Sequence, residues 1–141
     1  MREILFKAKR ADNGEWIEGY YAECKGKTFI GIDISIGIDV FEVFCTSVIR
    51  WLEVDPETLC QFAGMTDKNG KRIWESDVVW LVYNGEEHIY QIVWDNSELD
   101  FKATNGEENY GSNFEYLLCC DEIEVIGNIF DNPELLQEEH K

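Results

Sequence analysis

Two carboxylates, Glu75 and Asp77, stand on either side of Ser76, directly after a charged turn. Paired carboxylates are able to transfer protons or to hold a metal ion. Acidic residues are so abundant in this chain, however, that such a pair is expected by chance. The valines that follow indicate the start of a strand. We therefore expect the two carboxylates to shape and cap a structural corner.

Other residue types that carry chemistry are few or poorly spaced. The two histidines are His88 and His140, and the five cysteines show no C-x-x-C spacing, so neither a zinc site nor a Cys–His pair is expected. Asp121, Glu122 and Glu124 offer oxygen ligands but lack the calcium-loop pattern. We expect no enzymatic activity, no catalytic residue, no metal ion and no cofactor.

The charge is the strongest compositional signal. The chain has 29 acidic and 12 basic residues and a net charge of -17, and residues 71–141 hold 17 acidic side chains against 4 basic ones. Such a half repels phosphate groups and suits a partner protein with a basic surface, or mimicry of nucleic acid; solubility is the alternative explanation. The candidate interaction surface comprises Glu86, Glu87, Glu107, Glu108, Asp121, Glu122 and Glu124.

A competing hypothesis is a small barrel that binds nucleic acid. Its cations would come from the basic cluster Lys7, Lys9, Arg10, Lys25 and Lys27. Exposed aromatic rings would stack on the bases, the candidates being Trp16, Trp51, Trp80 and Trp94.

Short stretches of alternating apolar and polar residues predict a mainly β protein. Residues 30–40 alternate isoleucine with small or acidic residues, and Asn-Gly pairs at 13–14, 69–70 and 84–85 predict hairpin turns. We expect an N-terminal β region over 1–55, packed on an SH3-like, partly open small barrel over 56–141. The boundary is placed at Asp55-Pro56, where a helical turn is also predicted, and a short helix follows Pro133. Exposed strand edges would favour a homo-oligomer.

The stretch around the carboxylate pair has a simple physical interpretation. Asp67 is able to accept a hydrogen bond from the backbone two residues on, and Gly70 supplies the positive φ of a tight turn. Trp74 then begins the returning strand, and we place it in the core with Val79 and Val93.

The same stretch, LCQFAGMTDKNGKRIWESDVV over residues 59–79, resembles the signature of the YopX family of phage and prophage proteins. REILFKAKRADNGEWIEGY at 2–20 and IEVIGNIFDNPELL at 123–136 are similar to the family's two ends. Trp74 stands where the family has an aromatic residue. The other matching positions are Gln61, Phe62, Gly64, Asp67, Lys68, Asn69, Gly70, Ile73, Glu75, Asp77, Gly127, Asn128, Asn132, Pro133 and Glu134, which we expect to be structural.

The resemblance implies a phage-encoded, mainly β protein in the cytoplasm of the bacterial host, and it implies no particular chemistry. The chain departs from the signature at Ala63, usually threonine, and at Ser76, usually glycine. If the corner requires a positive φ, Ser76 is strained; otherwise the corner forms without that geometry.

Overall fold

The computed structural model describes residues 4–34, 48–104, 114–116 and 120–139. These residues form eleven β-strands, one 3-10 turn and one short α-helix, so the mainly β prediction is confirmed. The strands build antiparallel sheets that do not close. Within the described residues, the one α-helix is far too short to span a bilayer.

The chain divides into two compact units, Met1–Gln61 and Phe62–Lys141. The division falls within a strand, six residues beyond the Asp55-Pro56 corner. A domain boundary at that corner stays a prediction.

The first unit is a meander of four strands that pair in sequence order. They are β1 (Phe6–Lys9), β2 (Trp16–Cys24), β3 (Lys27–Ile34) and β4 (Val48–Val54), and the first residues of β5 (Cys60–Thr66) pair with β1. Alternation places Ala8, Ile30 and Val54 in one core, where each is at most 2% exposed. Residues 35–40 of the predicted isoleucine strand lie outside the described part of the chain.

The predicted helical turn is present as a 3-10 turn over Pro56–Thr58. The Asp55 carboxylate caps it by accepting a hydrogen bond from the Glu57 backbone N–H at 3.0 Å. The Thr58 hydroxyl accepts a hydrogen bond from the Lys9 backbone N–H at 2.9 Å, which ties the turn to β1.

The second unit contains the other strands and the helix. After β5 come β6 (Arg72–Trp74), β7 (Asp77–Tyr83), β8 (Glu86–Asp95), β9 (Asp100–Thr104), β10 (Phe114–Tyr116) and β11 (Glu122–Asn128), followed by α1 (Glu134–Glu139). β5 pairs with β6, and the remaining strands form a sheet in the order β10-β9-β8-β7-β11. Asn84 and Gly85 join β7 to β8 with φ of 53° and 82°, which confirms the predicted hairpin.

One face of this sheet holds the core of the second unit. Val79, Leu81 and Ile92 are fully buried there. Trp74, on β6, is also buried, with 3% of its surface exposed. Val93 was expected in the core, but it is only half-buried. Its neighbour Ile92 takes the core position, and successive side chains of a strand point to opposite faces.

Ser76 adopts a φ of 75°, so the corner does require the left-handed conformation and the residue is strained. Two backbone hydrogen bonds hold it there. The Ser76 N–H donates to the Ile92 carbonyl at 2.8 Å, and the Ile129 N–H donates to the Ser76 carbonyl at 3.0 Å.

We predict that Ser76→Gly raises the free energy of unfolding by roughly 0.5 kcal/mol, because relief of the strain exceeds the backbone entropy that glycine adds to the unfolded chain. Urea titration of both proteins measures the difference. Ser76→Ala is the control: it retains the Cβ and should show no gain. A loss of stability in the glycine variant would show that the Ser76 side chain contributes more than its strain costs.

Candidate functional site

The Asp67 side chain organises the charged turn of the second unit. It is 7% exposed, and one of its oxygens, Oδ1, accepts hydrogen bonds from the backbone N–H groups of Asn69 and Lys71, both at 2.9 Å. The other oxygen, Oδ2, accepts from the Val125 N–H at 2.9 Å. One carboxylate therefore joins the turn to a strand 58 residues further along the chain.

The turn lies along the edge of β11 that faces away from β7. The Lys68 N–H donates to the Ile123 carbonyl at 2.9 Å, next to the bond between Asp67 and Val125. Gly70, with φ of 81°, closes the turn by donating its N–H to the Asp67 carbonyl at 3.0 Å. The turn thus covers part of the β11 edge, whose backbone N–H and C=O groups would otherwise lack a partner strand.

Hydrogen bonding sets the ionisation of Asp67. Burial by itself raises the pKa of this carboxyl, but the three backbone N–H donors and the nearby Lys71 outweigh burial and leave the pKa below its usual range. The ionised form is therefore the one that the fold stabilises.

The carboxylate pair at the corner is arranged as a hydrogen-bonding element. Asp77 is 2% exposed, and its Oδ2 accepts from the Trp74 backbone N–H at 2.8 Å. Glu75 is half-buried beside it. Ile73 and Trp74 are buried on the adjacent strand, and the Phe62 ring lies 5.5 Å from that of Trp74.

Two further family-motif positions lie on β5. Gln61 closes the first unit, where it pairs with Phe6. Gly64 has a φ of 91° at an irregularity in the pairing of β5 with β6, a conformation that glycine adopts without strain.

The motif at the C-terminal end builds the turn that precedes α1. A Cβ on Gly127 would lie 2.6 Å from Asn132 Oδ1, so a side chain there requires a rearrangement. Asn128 Oδ1 accepts hydrogen bonds from the backbone N–H groups of Phe130 at 3.0 Å and Asp131 at 2.9 Å. Pro133 is exposed immediately before the helix begins.

Part of the candidate acidic surface comes together around the β7–β8 hairpin. Glu122 on β11 is paired with Val82 on β7, and Val82 is paired with Glu87 on β8, so the two carboxylates flank an apolar residue on one face. Glu86 and Asp121 are exposed at the hairpin end, where Asp121 Oδ2 accepts from the Asn84 N–H at 3.2 Å. Glu107 and Glu108 lie outside the described residues.

The next row of the same face is centred on a tryptophan. Trp80 is half-buried between Glu124 on β11 and Ile89 on β8. Lys68 places its Nζ 4.9 Å from the centre of the Trp80 ring and 3.3 Å from Glu124 Oε1. We call the surface formed by these two rows the Trp80 face; it comprises Trp80, Val82, Glu87, Ile89, Glu122 and Glu124.

A shallow depression of about 280 Å³ adjoins the Trp80 ring on its β8 side. It is lined by Trp80, Glu87, His88 and Ile89. The sequence predicts Trp80 as a candidate ring for stacking on bases, but it does not predict the contact of this ring with Lys68. No local pattern signals that contact, because it depends on where the turn meets β11.

Lys102 is the one cation of the sequence between Arg72 and Lys141, and it does not offset the acidic surface. Its side chain is 2% exposed and donates to Asp95 Oδ2 at 2.6 Å and to Glu98. The hydrogen bond from Lys102 lowers the pKa of Asp95, and the bonds to Asp95 and Glu98 raise that of Lys102. The charge of this lysine is therefore compensated locally, away from solvent.

The basic cluster of the first unit is only partly assembled. Lys7 and Lys9 place their Nζ atoms 4.7 and 5.4 Å from the centre of the Trp16 ring. Arg10 forms hydrogen bonds of 2.9 and 2.7 Å with both carboxylate oxygens of Asp12. Lys25 and Lys27 lie at the opposite end of β2, where Lys27 is 3.9 Å from Glu53.

We predict that Asp67→Asn lowers the free energy of unfolding by roughly 2 kcal/mol at neutral pH, because an amide cannot present two charged acceptor oxygens to three N–H donors. The folded pKa of Asp67 is lowered, so its contribution is complete above the unfolded pKa of about 3.9 and is lost as the pH falls through the folded value. The difference between variant and parent should therefore shrink in acid.

Urea titrations between neutral pH and about pH 3 measure both effects. Glu86→Gln, which changes a carboxylate that is 79% exposed, is the control and should stay within about 0.5 kcal/mol of the parent. An Asp67→Asn variant as stable as this control would contradict the central role of the carboxylate.

Comparison with known proteins assigns the chain to a family. The family model described as YopX protein matches residues 5–137, nearly the whole chain, including the charged turn, the corner and the turn before α1. No curated protein matches the chain. The extent of the family match shows that the chain belongs to the YopX protein family.

Proposed function

We propose that this YopX protein is a phage- or prophage-encoded accessory protein that acts by binding, without catalysis. In this proposal the Trp80 face takes up the basic surface of a host or phage protein. The observation that carries the proposal is the pairing of two rows across three strands, Glu122–Val82–Glu87 and Glu124–Trp80–Ile89.

This arrangement has the anatomy of a protein-binding surface. Its centre is apolar and half-buried, formed by Trp80, Val82 and Ile89, and its carboxylates lie around that centre. Interfaces commonly combine an aromatic anchor at the centre with a polar rim, and tryptophan is prominent among the residues that contribute most to affinity.

The electrostatics support a basic partner. Glu87 and Glu122 are exposed, and Glu86 and Asp121 add carboxylates at the nearby hairpin end. Because Lys102 is buried in ion pairs with Asp95 and Glu98, it does not neutralise these exposed carboxylates. Complementary charge accelerates encounter with a partner and excludes surfaces of the wrong sign. Mimicry of nucleic acid is the stronger form of the same proposal.

Nucleic-acid binding by the first unit is the second candidate. It is favoured by the contact of Lys7 and Lys9 with the Trp16 ring, and the same strand carries the exposed side chain of Tyr20. Two observations weigh against it: Arg10 is held by Asp12, and Glu18 is paired with Lys7 on the same face. Formation of a homo-oligomer stays a prediction.

We predict that a fluorescently labelled hexa-arginine peptide binds the protein at about 10 mM salt and dissociates as the salt approaches about 150 mM. The double variant Glu87→Gln/Glu122→Gln should bind about fivefold more weakly, because two exposed ion pairs are lost. Fluorescence anisotropy measures the affinity. Glu15→Gln/Glu57→Gln removes two exposed carboxylates of the first unit and is the matched control.

Equal weakening in the two double variants would mean that net charge alone attracts the peptide, and the Trp80 face would lose its role. A labelled oligothymidine tests the second candidate under the same conditions. Binding of the oligothymidine, weakened by Lys7→Gln/Lys9→Gln, would favour nucleic acid over a basic protein.

A further inference from the structure

Lys68 occupies the position on the Trp80 face that a partner's cation would take. We infer that Lys68 acts as an internal competitor, and that the partner group that replaces it is an arginine side chain. This inference rests on the proposed function, since it specifies the residue that the Trp80 face recognises.

The geometry places a cation between an aromatic ring and a carboxylate. Lys68 Nζ is 4.9 Å from the centre of the Trp80 ring, within the range of a cation–π contact, and 3.3 Å from Glu124 Oε1. Trp80 and Glu124 are paired on neighbouring strands, so both groups that hold the cation belong to the sheet.

The lysine itself is supplied by the turn. Its backbone N–H donates to the Ile123 carbonyl at 2.9 Å. Next to it, the Asp67 carboxylate accepts hydrogen bonds from Lys71 in the turn and from Val125 on β11. The backbone of Lys68 therefore stays at the edge of β11 whether or not its ammonium group contacts Trp80. The side chain is able to leave the ring without unfolding the turn.

The contact is weak enough to be replaced. The side chains of Lys68 and Glu124 are 42% and 38% exposed, and an ion pair at such exposure contributes little. Water reaches both groups, so an incoming cation does not have to open a closed pocket. The depression on the β8 side of Trp80 leaves further room beside the ring.

Arginine is the side chain best suited to win this competition. Its planar guanidinium stacks on an aromatic face and presents a fork of N–H donors to carboxylates, whereas lysine would exchange one ammonium for another. Glu124 lies beside the ring, and Glu122 and Glu87 flank the adjacent row, so acceptors are present on both sides of an arginine stacked on Trp80. We therefore expect preference for arginine over lysine in the partner.

The experiment compares the affinity of labelled hexa-arginine for the parent protein, Lys68→Met and Lys71→Met. Removal of the competitor should raise affinity roughly threefold to tenfold in Lys68→Met, the combined value of an exposed cation–π contact and an exposed ion pair. Lys71→Met is the matched control, because it removes the same charge from the same turn. It should change affinity less than twofold.

A third variant and a second peptide test the identity of the occupant. Lys68→Arg keeps a cation on Trp80 and should bind hexa-arginine no more tightly than the parent. Labelled hexa-lysine should bind the parent more weakly than hexa-arginine. Both peptides should gain affinity by a similar factor in Lys68→Met, because an internal competitor lowers the apparent affinity of every occupant alike. Thermal unfolding of each variant verifies that the second unit is folded.

The outcomes separate this inference from the proposed function. Binding of hexa-arginine that weakens in Glu87→Gln/Glu122→Gln but is equal in Lys68→Met and Lys71→Met overturns the competitor role and leaves the proposed function standing. Absence of binding by the parent and by Lys68→Met at about 10 mM salt overturns both. A Lys68→Arg variant that binds as tightly as Lys68→Met also overturns the inference.

Discussion

The second unit depends on one carboxylate that satisfies backbone N–H groups from two distant parts of the chain. Asp67 accepts hydrogen bonds from Asn69 and Lys71 in its own turn and from Val125 on β11. Because the ionised form is stabilised by three donors, the turn is held firmly at the strand edge. This attachment fixes the backbone of Lys68 beside β11, and from there its ammonium group reaches the Trp80 ring.

The charged stretch that looks most like an active site holds two buried carboxylates that bond to the backbone, and the surface proposed to bind a partner lies beside it. Asp67 and Asp77 are both buried and accept backbone hydrogen bonds, at the turn and at the corner. Ser76 keeps the corner at the expense of a left-handed conformation. The Trp80 face, by contrast, consists of residues outside the matched motif positions, and Lys68, which is one of those positions, contacts Trp80 and Glu124.

Local patterns were sufficient for most of the strands and turns. Alternation located the meander of the first unit, the Asn84-Gly85 pair located the hairpin, and Asp55-Pro56 located the 3-10 turn. Val93 was misplaced because β8 is apolar at both Ile92 and Val93, so alternation alone does not decide which residue faces the core. The signature likewise left the φ of Ser76 open, since a departure from glycine is compatible with either conformation.

The sequence by itself determined the mainly β character, the tight turns, the acidic second half and the family resemblance, because each depends on neighbouring residues or on composition. Only the tertiary structure decided which acidic residues are neighbours and what lies between them. Glu87 and Glu122 are 35 positions apart and meet across Val82 because β7 pairs with β8 on one side and with β11 on the other. The contact of Lys68 with Trp80 was also decided there, since it requires backbone hydrogen bonds between the turn and a strand more than fifty residues away.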